Sequence, residues 1–250
     1  MLTPKVTVEH PAFSPLNSAQ ERNELARIRE VYSRRKKAVP PQRYSRMNAA
    51  HLCSLHESEA AMAAMLHSSG WESLSGVRIL DVGCGRGATL RMLLEYGAEP
   101  HLLCGIDLLE DFAGEARRLG PQFKILCCSA MQLPFADCSF DLALQFTMFT
   151  SVLSDTAKQR IADEIRRVLA PGGRLLWYDF AYDNPANPDV RGIGLAEVRK
   201  LFPGFTIVTR RVTLAPPLAR ILAPISPMLY YLGAQMRFLC THYLCLLQKN

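Results

Sequence analysis

Asp81-Val82-Gly83-Cys84-Gly85-Arg86-Gly87 joins the end of an apolar run to a helical one, Ala88 to Tyr96. Glycines at such a junction let the chain turn sharply and let a ligand approach the backbone, because no Cβ stands in the way. Alone, a loop of this kind serves several nucleotide-type ligands, or is simply a tight turn. Asp107 sharpens it: the residue ends the next apolar run in Gly105-Ile106-Asp107, twenty positions after Gly87, where a carboxylate can accept hydrogen bonds from ribose hydroxyls. Two further groups are candidates for moving a proton. Asp179 follows an apolar run, with Tyr178 and Asp183 behind it as substitutes, and its plain alternative is a turn carboxylate. His242 lies early in the last apolar run, where a satisfied core histidine is the competing reading.

The elements that must position these groups follow from periodicity. Val77 to Val82, Leu102 to Ile106, Phe123 to Cys127, Phe140 to Gln145 and Gly173 to Asp179 read as five strands separated by helical segments, the pattern of βαβ units and a parallel sheet. The clearest helix is Thr156 to Leu169, with Ile161, Ile165, Val168 and Leu169 on one face and Ser154 or Asp155 as cap. Leu195 to Leu201 is a short helix; Phe205 to Leu214 and Phe238 to Leu247 are two final strands. Ahead of the sheet, residues 1–16 read as a flexible arm. Residues 17–70 read as a helical cap, opened by a capping box at Ser18-Ala19-Gln20-Glu21, interrupted at Pro40-Pro41, and resumed from Met47 to His67. Residues 71–250 form the main domain. Within it, 214–236 is a lid-like insertion whose stretch from Ile221 to Met236 is uncharged but broken by Pro224 and Pro227, and shorter than the roughly 20 residues that span a bilayer.

Charge and cysteine usage narrow the function classes. Residues 1–50 carry ten Lys/Arg against four Asp/Glu, and the remaining 200 carry nineteen of each, so the net +6 sits in the N-terminal fifth. Its densest part, Arg34-Arg35-Lys36-Lys37, is read as a solvated helix end; the balanced remainder argues against nucleic acid. Together with the apolar insertion, the basic cluster leaves peripheral contact with an anionic membrane open. Eight cysteines without a CxxC pair or zinc spacing predict no metal site, and with no apolar leader at the N-terminus they predict a reducing cytoplasm.

The ordered set of Asp81 to Gly87, Asp107, Leu133-Pro134-Phe135-Ala136-Asp137-Cys138-Ser139-Phe140-Asp141 and Val168-Leu169-Ala170-Pro171-Gly172-Gly173 resembles the class I S-adenosylmethionine-dependent methyltransferases, particularly the small-molecule and quinone-biosynthesis branch. The resemblance covers roughly residues 70–180. It implies an α/β, Rossmann-like seven-stranded sheet of order 3-2-1-4-5-7-6, with the last strand antiparallel and helices on both faces. It implies S-adenosylmethionine as cofactor, with Asp81, Gly83, Cys84, Gly85 and Gly87 along the methionine and ribose portion and Asp107 with Leu108 at the ribose. The chain departs from the family after strand three, where Cys128-Ser129-Ala130-Met131 replaces a Gly-Asp-Ala pattern. Ser129 can still hydrogen-bond the adenine, without charge assistance, and Met131 covers an adenine face or fills the core. Gln145, after strand four, completes the expected cofactor wall.

A hydride-transferring dehydrogenase falls behind because no Tyr-x-x-x-Lys pair stands beyond the second-strand acid. Methyl transfer asks for less dedicated chemistry, since alignment of nucleophile, methyl and sulfur supplies much of the rate. A weaker resemblance to glycan and secondary-metabolite methyltransferases, through Trp177-Tyr178-Asp179-Phe180 and Asn187-Pro188-Asp189-Val190-Arg191-Gly192, tilts the expected acceptor to a hydroxyl of a small molecule or glycan. His51 and His56 sit on the N-terminal helix, facing cleft or water. Transfer to carbon or nitrogen, or to a lipid-linked acceptor, is the alternative.

Overall fold

The computed structural model describes residues 19–185 and 187–250. The arm and Ser18 of the expected capping box lie outside the described residues. Two long helices come first, α1 (Ala19–Ala38) and α2 (Ala49–Ser68), joined through a short 3-10 turn at Pro41–Tyr44. Asn48 caps α2, its side chain accepting from the N–H groups of Ala50 and His51 at 3.1 and 3.2 Å. The alternating part follows: β1 (Ile79–Val82), α3 (Ala88–Leu93), β2 (Leu103–Asp107), α4 (Glu110–Leu119), β3 (Lys124–Cys127), β4 (Phe140–Phe146), α5 (Asp155–Val168), β5 (Leu169–Phe180), α6 (Leu195–Leu201), β6 (Phe205–Leu214), α7 (Pro216–Ile225), α8 (Pro227–Gln235) and β7 (Cys240–Lys249).

The seven strands form one sheet in the order β3-β2-β1-β4-β5-β7-β6. Pairings from β3 through β5 are parallel, and β7 runs antiparallel to both neighbours. This is the sheet the resemblance implied. β5 begins earlier than the pattern predicted, because Pro171-Gly172-Gly173 is a kink within the strand rather than its start.

Alternation along the strands sorts the core into two faces. Leu80, Ile106, Leu175 and Trp177 pack with α5, α6 and Leu25 of α1; Ile79, Leu103, Leu144 and Leu176 pack with α3, α4 and Met62, Met65 and Leu66 of α2. Residues 17–70 are therefore no single cap. α1 and α2 lie on opposite faces of the sheet, and a third small core forms where Ala50 and Cys53 of α2 meet Ala219 and Ala223 of α7 and Tyr230 of α8.

Candidate active site

In a doubly wound sheet the crevice opens beyond the carboxyl ends of the strands, where neighbouring crossovers leave on opposite faces. Here that point is between β1, followed by α3 on one face, and β4, followed by α5 on the other. A cavity of about 320 Å³ lies there, walled by the ends of β1 (Asp81), β2 (Asp107) and β4 (Phe146) and by the turns that follow them.

The first turn is held in shape by its own sequence. Gly83, Gly85 and Gly87 take φ of +79°, +53° and +70°, values that L side chains rarely adopt. At Gly83 a Cβ would stand 2.9 Å from Met148 Cγ, so its absence keeps the floor of the cleft open. Asp107 braces the turn from β2, accepting from the Gly85 N–H at 2.9 Å through one oxygen and from the Leu109 N–H at 2.9 Å through the other. Burial raises its carboxyl, and those N–H groups restrain the rise.

Asp81 is different. Its Oδ2 is buried without any hydrogen-bond partner, and burial, seconded by the charge of Asp107, pushes the carboxyl up to about 7. An unpaired buried carboxylate facing a cavity is a costly arrangement for the protein alone, and a cationic or hydrogen-bond-donating ligand relieves it. The lone pairs left on Asp107, the glycine backbone and the orphan oxygen of Asp81 fit an aminoacyl nucleoside, which offers ribose hydroxyls to one acid and a positive charge to the other.

Nine of the expected cofactor residues line the cleft: Asp81, Gly83, Cys84, Gly85, Asp107, Leu108, Ser129, Ala130 and Met131. Ser129 Oγ accepts from the Met131 N–H at 3.2 Å, which shapes the turn after β3 and leaves the hydroxyl proton free to donate. Gly87 and Gln145 stand outside the wall. Gly87 is the N-cap of α3, where a Cβ would press on Ala116 at 3.3 Å, so it serves helix packing.

Gln145 and Asp179 lie beneath the cleft, fully buried. Asp179 accepts from Thr150 Oγ1 at 2.7 Å, from the Thr150 N–H at 3.1 Å, from its neighbour Phe180 N–H at 2.9 Å and from Gln145 Nε2 at 3.4 Å. Gln145 Oε1 in turn accepts from the Met148 N–H at 3.2 Å. Burial raises Asp179 to about 6 against the pull of those donors. The expected base is thus a carboxylate that fixes the turn of residues 147–151, whose Thr147, Met148 and Ser151 do face the cavity.

His242 is opposite Phe180 in the β5–β7 register, so it projects from the sheet face away from Asp179. It is stacked on Tyr178, with ring centroids 4.7 Å apart and planes 6° off parallel, and packed against Phe180 at 3.9 Å. Burial drives its pKa down to about 3, so the ring is neutral. The two proposed proton movers cannot share one substrate atom from opposite faces, and neither lines the cleft. Asp183 caps the Gly192 N–H at 2.8 Å, Tyr178 shares a hydrogen bond of 2.7 Å with Thr213, and His51 packs edge-on against Tyr44. None of these three lines the cavity.

A helical cap is expected from residues 17–70, but the sequence does not single out the side chains by which it meets the cleft. Leu25, Ile28 and Tyr32 of α1 close one side, with Phe112 of α4 opposite Tyr32 at 6.0 Å. α1 is tied down by Glu24, which accepts from the Leu153 N–H at 2.6 Å and pairs with Arg27 at 2.8 Å, and by Arg27, which donates to the Ser151 carbonyl at 2.6 Å. Of the basic cluster, Arg34 pairs with Asp189 at 2.9 Å and Lys36 with Asp111 at 2.7 Å. The spacing Tyr32-x-x-x-Lys36 does occur in α1, but Tyr32 meets Ser151 Oγ at 3.1 Å while Lys36 is engaged with Asp111, so the two do not form a hydride-transfer pair.

The model of a methyltransferase domain matches residues 80–177, the span that holds β1 to most of β5 and both acids of the cleft. The chain carries a class I S-adenosylmethionine-dependent methyltransferase domain. An O-methyltransferase of Aspergillus nomiae is 35% identical over 137 residues, 52% of this chain and 57% of the relative. A probable tRNA methyltransferase of Mus musculus is 28% identical over 141 residues, 53% of this chain and 30% of the relative. The chain therefore spans less than two thirds of the curated relatives it matches. Among solved structures, the 1,6-didemethyltoxoflavin-N1-methyltransferase of Burkholderia thailandensis, with S-adenosylhomocysteine bound, superposes with a TM-score of 0.60 at 22% identity, covering 96% of this chain and 94% of that one. The likeness of fold thus extends beyond the matched span to β7 and β6 at one end of the sheet and to the helices that precede β1. S-adenosylmethionine is the cofactor of the class, and the residues of the cleft fit it.

Proposed function

We propose that this methyltransferase transfers the methyl of S-adenosylmethionine in line to a hydroxyl oxygen of a small molecule or glycan. When bound, the cofactor supplies a methyl group on a sulfonium already activated for displacement. Asp107 and the backbone of the Gly83 to Gly87 turn would hold its ribose, Asp81 its cationic end, and Ser129 with Met131 its base. The single observation that carries the reading is the orphan Asp81 carboxylate in a wall otherwise complete with Asp107 and the glycine turn.

The chain's own work is alignment and exclusion of water. α1 covers one side of the cleft, and the Asp179–Gln145–Thr150 network sets the 147–151 turn against the cavity, a rigid support that keeps reacting atoms in register. Hydroxyls of Tyr32, Thr147 and Ser151 stand at the cavity wall and can orient an acceptor oxygen. A small acceptor is supported by the modest cavity of about 320 Å³ and by the ion pairs that occupy Arg34 and Lys36, which would otherwise be free for a polyanion.

One observation favours a second reading, transfer to carbon or nitrogen. Asp81 and Asp107 are the only carboxylates among the described lining residues, so no further acid stands by to deprotonate a hydroxyl. The N1-methyltransferase with this fold acts at nitrogen by its name. Calorimetry with S-adenosylhomocysteine tests the common part: absence of binding ends both readings. Fragmentation mass spectra of a methylated product then separate oxygen from carbon and nitrogen.

A further inference from the structure

The hairpin of α7 and α8 breaks the usual rule for a surface helix. Its inner face is ordinary, with Ala219, Ala223, Tyr230 and Ala234 buried against α2 and Leu214. Its outer face carries a single charge, Arg220, where several are expected. Ile221 is 61% exposed, Ile225 70% and Met228 68%, and Leu229, Tyr231, Leu232, Met236 and Phe238 continue the surface. So many large apolar side chains on one element mark a contact surface.

Its charge identifies the occupant. From Val198 to Asn250 the chain has seven Lys/Arg and no Asp or Glu. Arg220 and Arg237 bracket the apolar face, and both are exposed and donate to backbone carbonyls, those of Pro216 and Arg211, rather than to carboxylates. Exposed Arg43 and Arg46, in the turn leading into the α2 end on which α7 rests, add to the rim. From Val31 to His56 there is again no acidic residue.

A second copy of the chain is a poor fit, because a two-fold contact sets a patch against itself and would oppose arginines to arginines with no carboxylate to answer them. A lipid surface needs no matching shape. It takes apolar side chains into the acyl boundary while its anionic headgroups meet the flanking arginines. No described helix is long and apolar enough to cross a membrane, so the contact is peripheral.

We propose that the α7–α8 hairpin seats this methyltransferase on an anionic lipid surface. The hairpin leaves the sheet after β6, which runs parallel to β5, and so stands at the carboxyl edge where the cleft opens. Docking there turns the cleft edge toward the membrane. The proposal does not depend on which atom is methylated.

Flotation of the whole chain with vesicles of phosphatidylcholine, with and without phosphatidylglycerol, tests it. The chain is expected to float with the anionic vesicles and far less with neutral ones. The pair Ile225→Asp and Met228→Asp should cut the partition at least about tenfold, since two apolar side chains leave the bilayer. Arg220→Glu with Arg237→Glu should abolish the preference for phosphatidylglycerol, which keeps the test open if the first pair misfolds. Binding of S-adenosylhomocysteine verifies folding, since none of these four residues lines the cleft. Failure of the wild type to float, or equal flotation of both folded variants, overturns the proposal. A wild-type dimer in sedimentation that Ile225→Asp/Met228→Asp converts to monomer, without flotation, assigns the face to self-association instead.

Discussion

Asp81 gives the cleft a titration of its own. Its carboxyl sits at about 7 because it is buried and near Asp107, against an ordinary value of 3.8. A cation bound beside it favours the ionised form, so binding releases a proton below about pH 7. Affinity for S-adenosylhomocysteine, which retains the ammonium, should therefore rise with pH through that value and level off above it; Asp81→Asn should flatten the profile. A calorimetric affinity that is flat from pH 6 to 8 in the wild type would remove Asp81 from the cationic end. Asp107→Ala should weaken the same binding at least about tenfold, because charged hydrogen bonds of roughly 1.5–3 kcal/mol to ribose are lost along with the brace on Gly85. These two acids were legible in sequence because a strand end beside a glycine turn has one place in such a sheet. Asp179 and His242 were not. Each also ends or begins a strand, but only the pairing of Phe180 with His242 reveals that they project to opposite faces.

At the scale of elements, α1 is the part whose loss should be felt in binding before stability. Leu25 is its buried contribution to the main core, while its attachment to the cleft rests on Glu24. Burial works against ionising Glu24, yet Arg27 and the N–H groups of Leu153 and Ser154 outweigh it and hold the carboxyl below its usual range. Glu24→Ala leaves those N–H groups unanswered, at a cost of about 1–3 kcal/mol. Trypsin should then cut sooner after Arg27 and Arg29, and S-adenosylhomocysteine should bind more weakly; unchanged cleavage would mean that α1 is held by other contacts. The helix was legible from its periodicity and a capping role was expected of its segment, but the face it takes and the residues that meet the cleft were not, because a helix on the N-terminal side of a sheet can dock on either face. The segment 214–236 was legible only as apolar and proline-bearing. Pro224 and Pro227 read as breaks, and the helical segment does break there: α7 ends at Ile225 and Pro227 opens α8, while Pro216 and Pro217 open α7, first-turn positions where proline loses no hydrogen bond.

Across the whole molecule, the sheet order followed from motif order once the family was suspected, whereas the distribution of α1 and α2 over both faces needed the packing. Trp177 shows how core and site are divided. It is fully buried with Phe149 at 4.5 Å and Phe202 at 6.1 Å, on the face that α5 and α6 cover. Trp177→Ala should cost about 3–5 kcal/mol in a urea titration, as removal of a large core aromatic does. Phe149 belongs to the same turn as Met148, so a loss of packing has a route to the cleft. The turn has a second anchor, however, in the hydrogen bonds that Asp179 and Gln145 make to Thr150 and Met148. If that anchor suffices, S-adenosylhomocysteine at a hundredfold its Kd adds the same increment, about 2.7 kcal/mol, to wild type and Trp177→Ala alike. An increment that vanishes in the variant would show that aromatic packing, and not the buried carboxylate, holds the cleft wall. Asp179→Asn, with the core intact, should give the opposite pattern: a modest fall in stability and a large fall in the ligand increment.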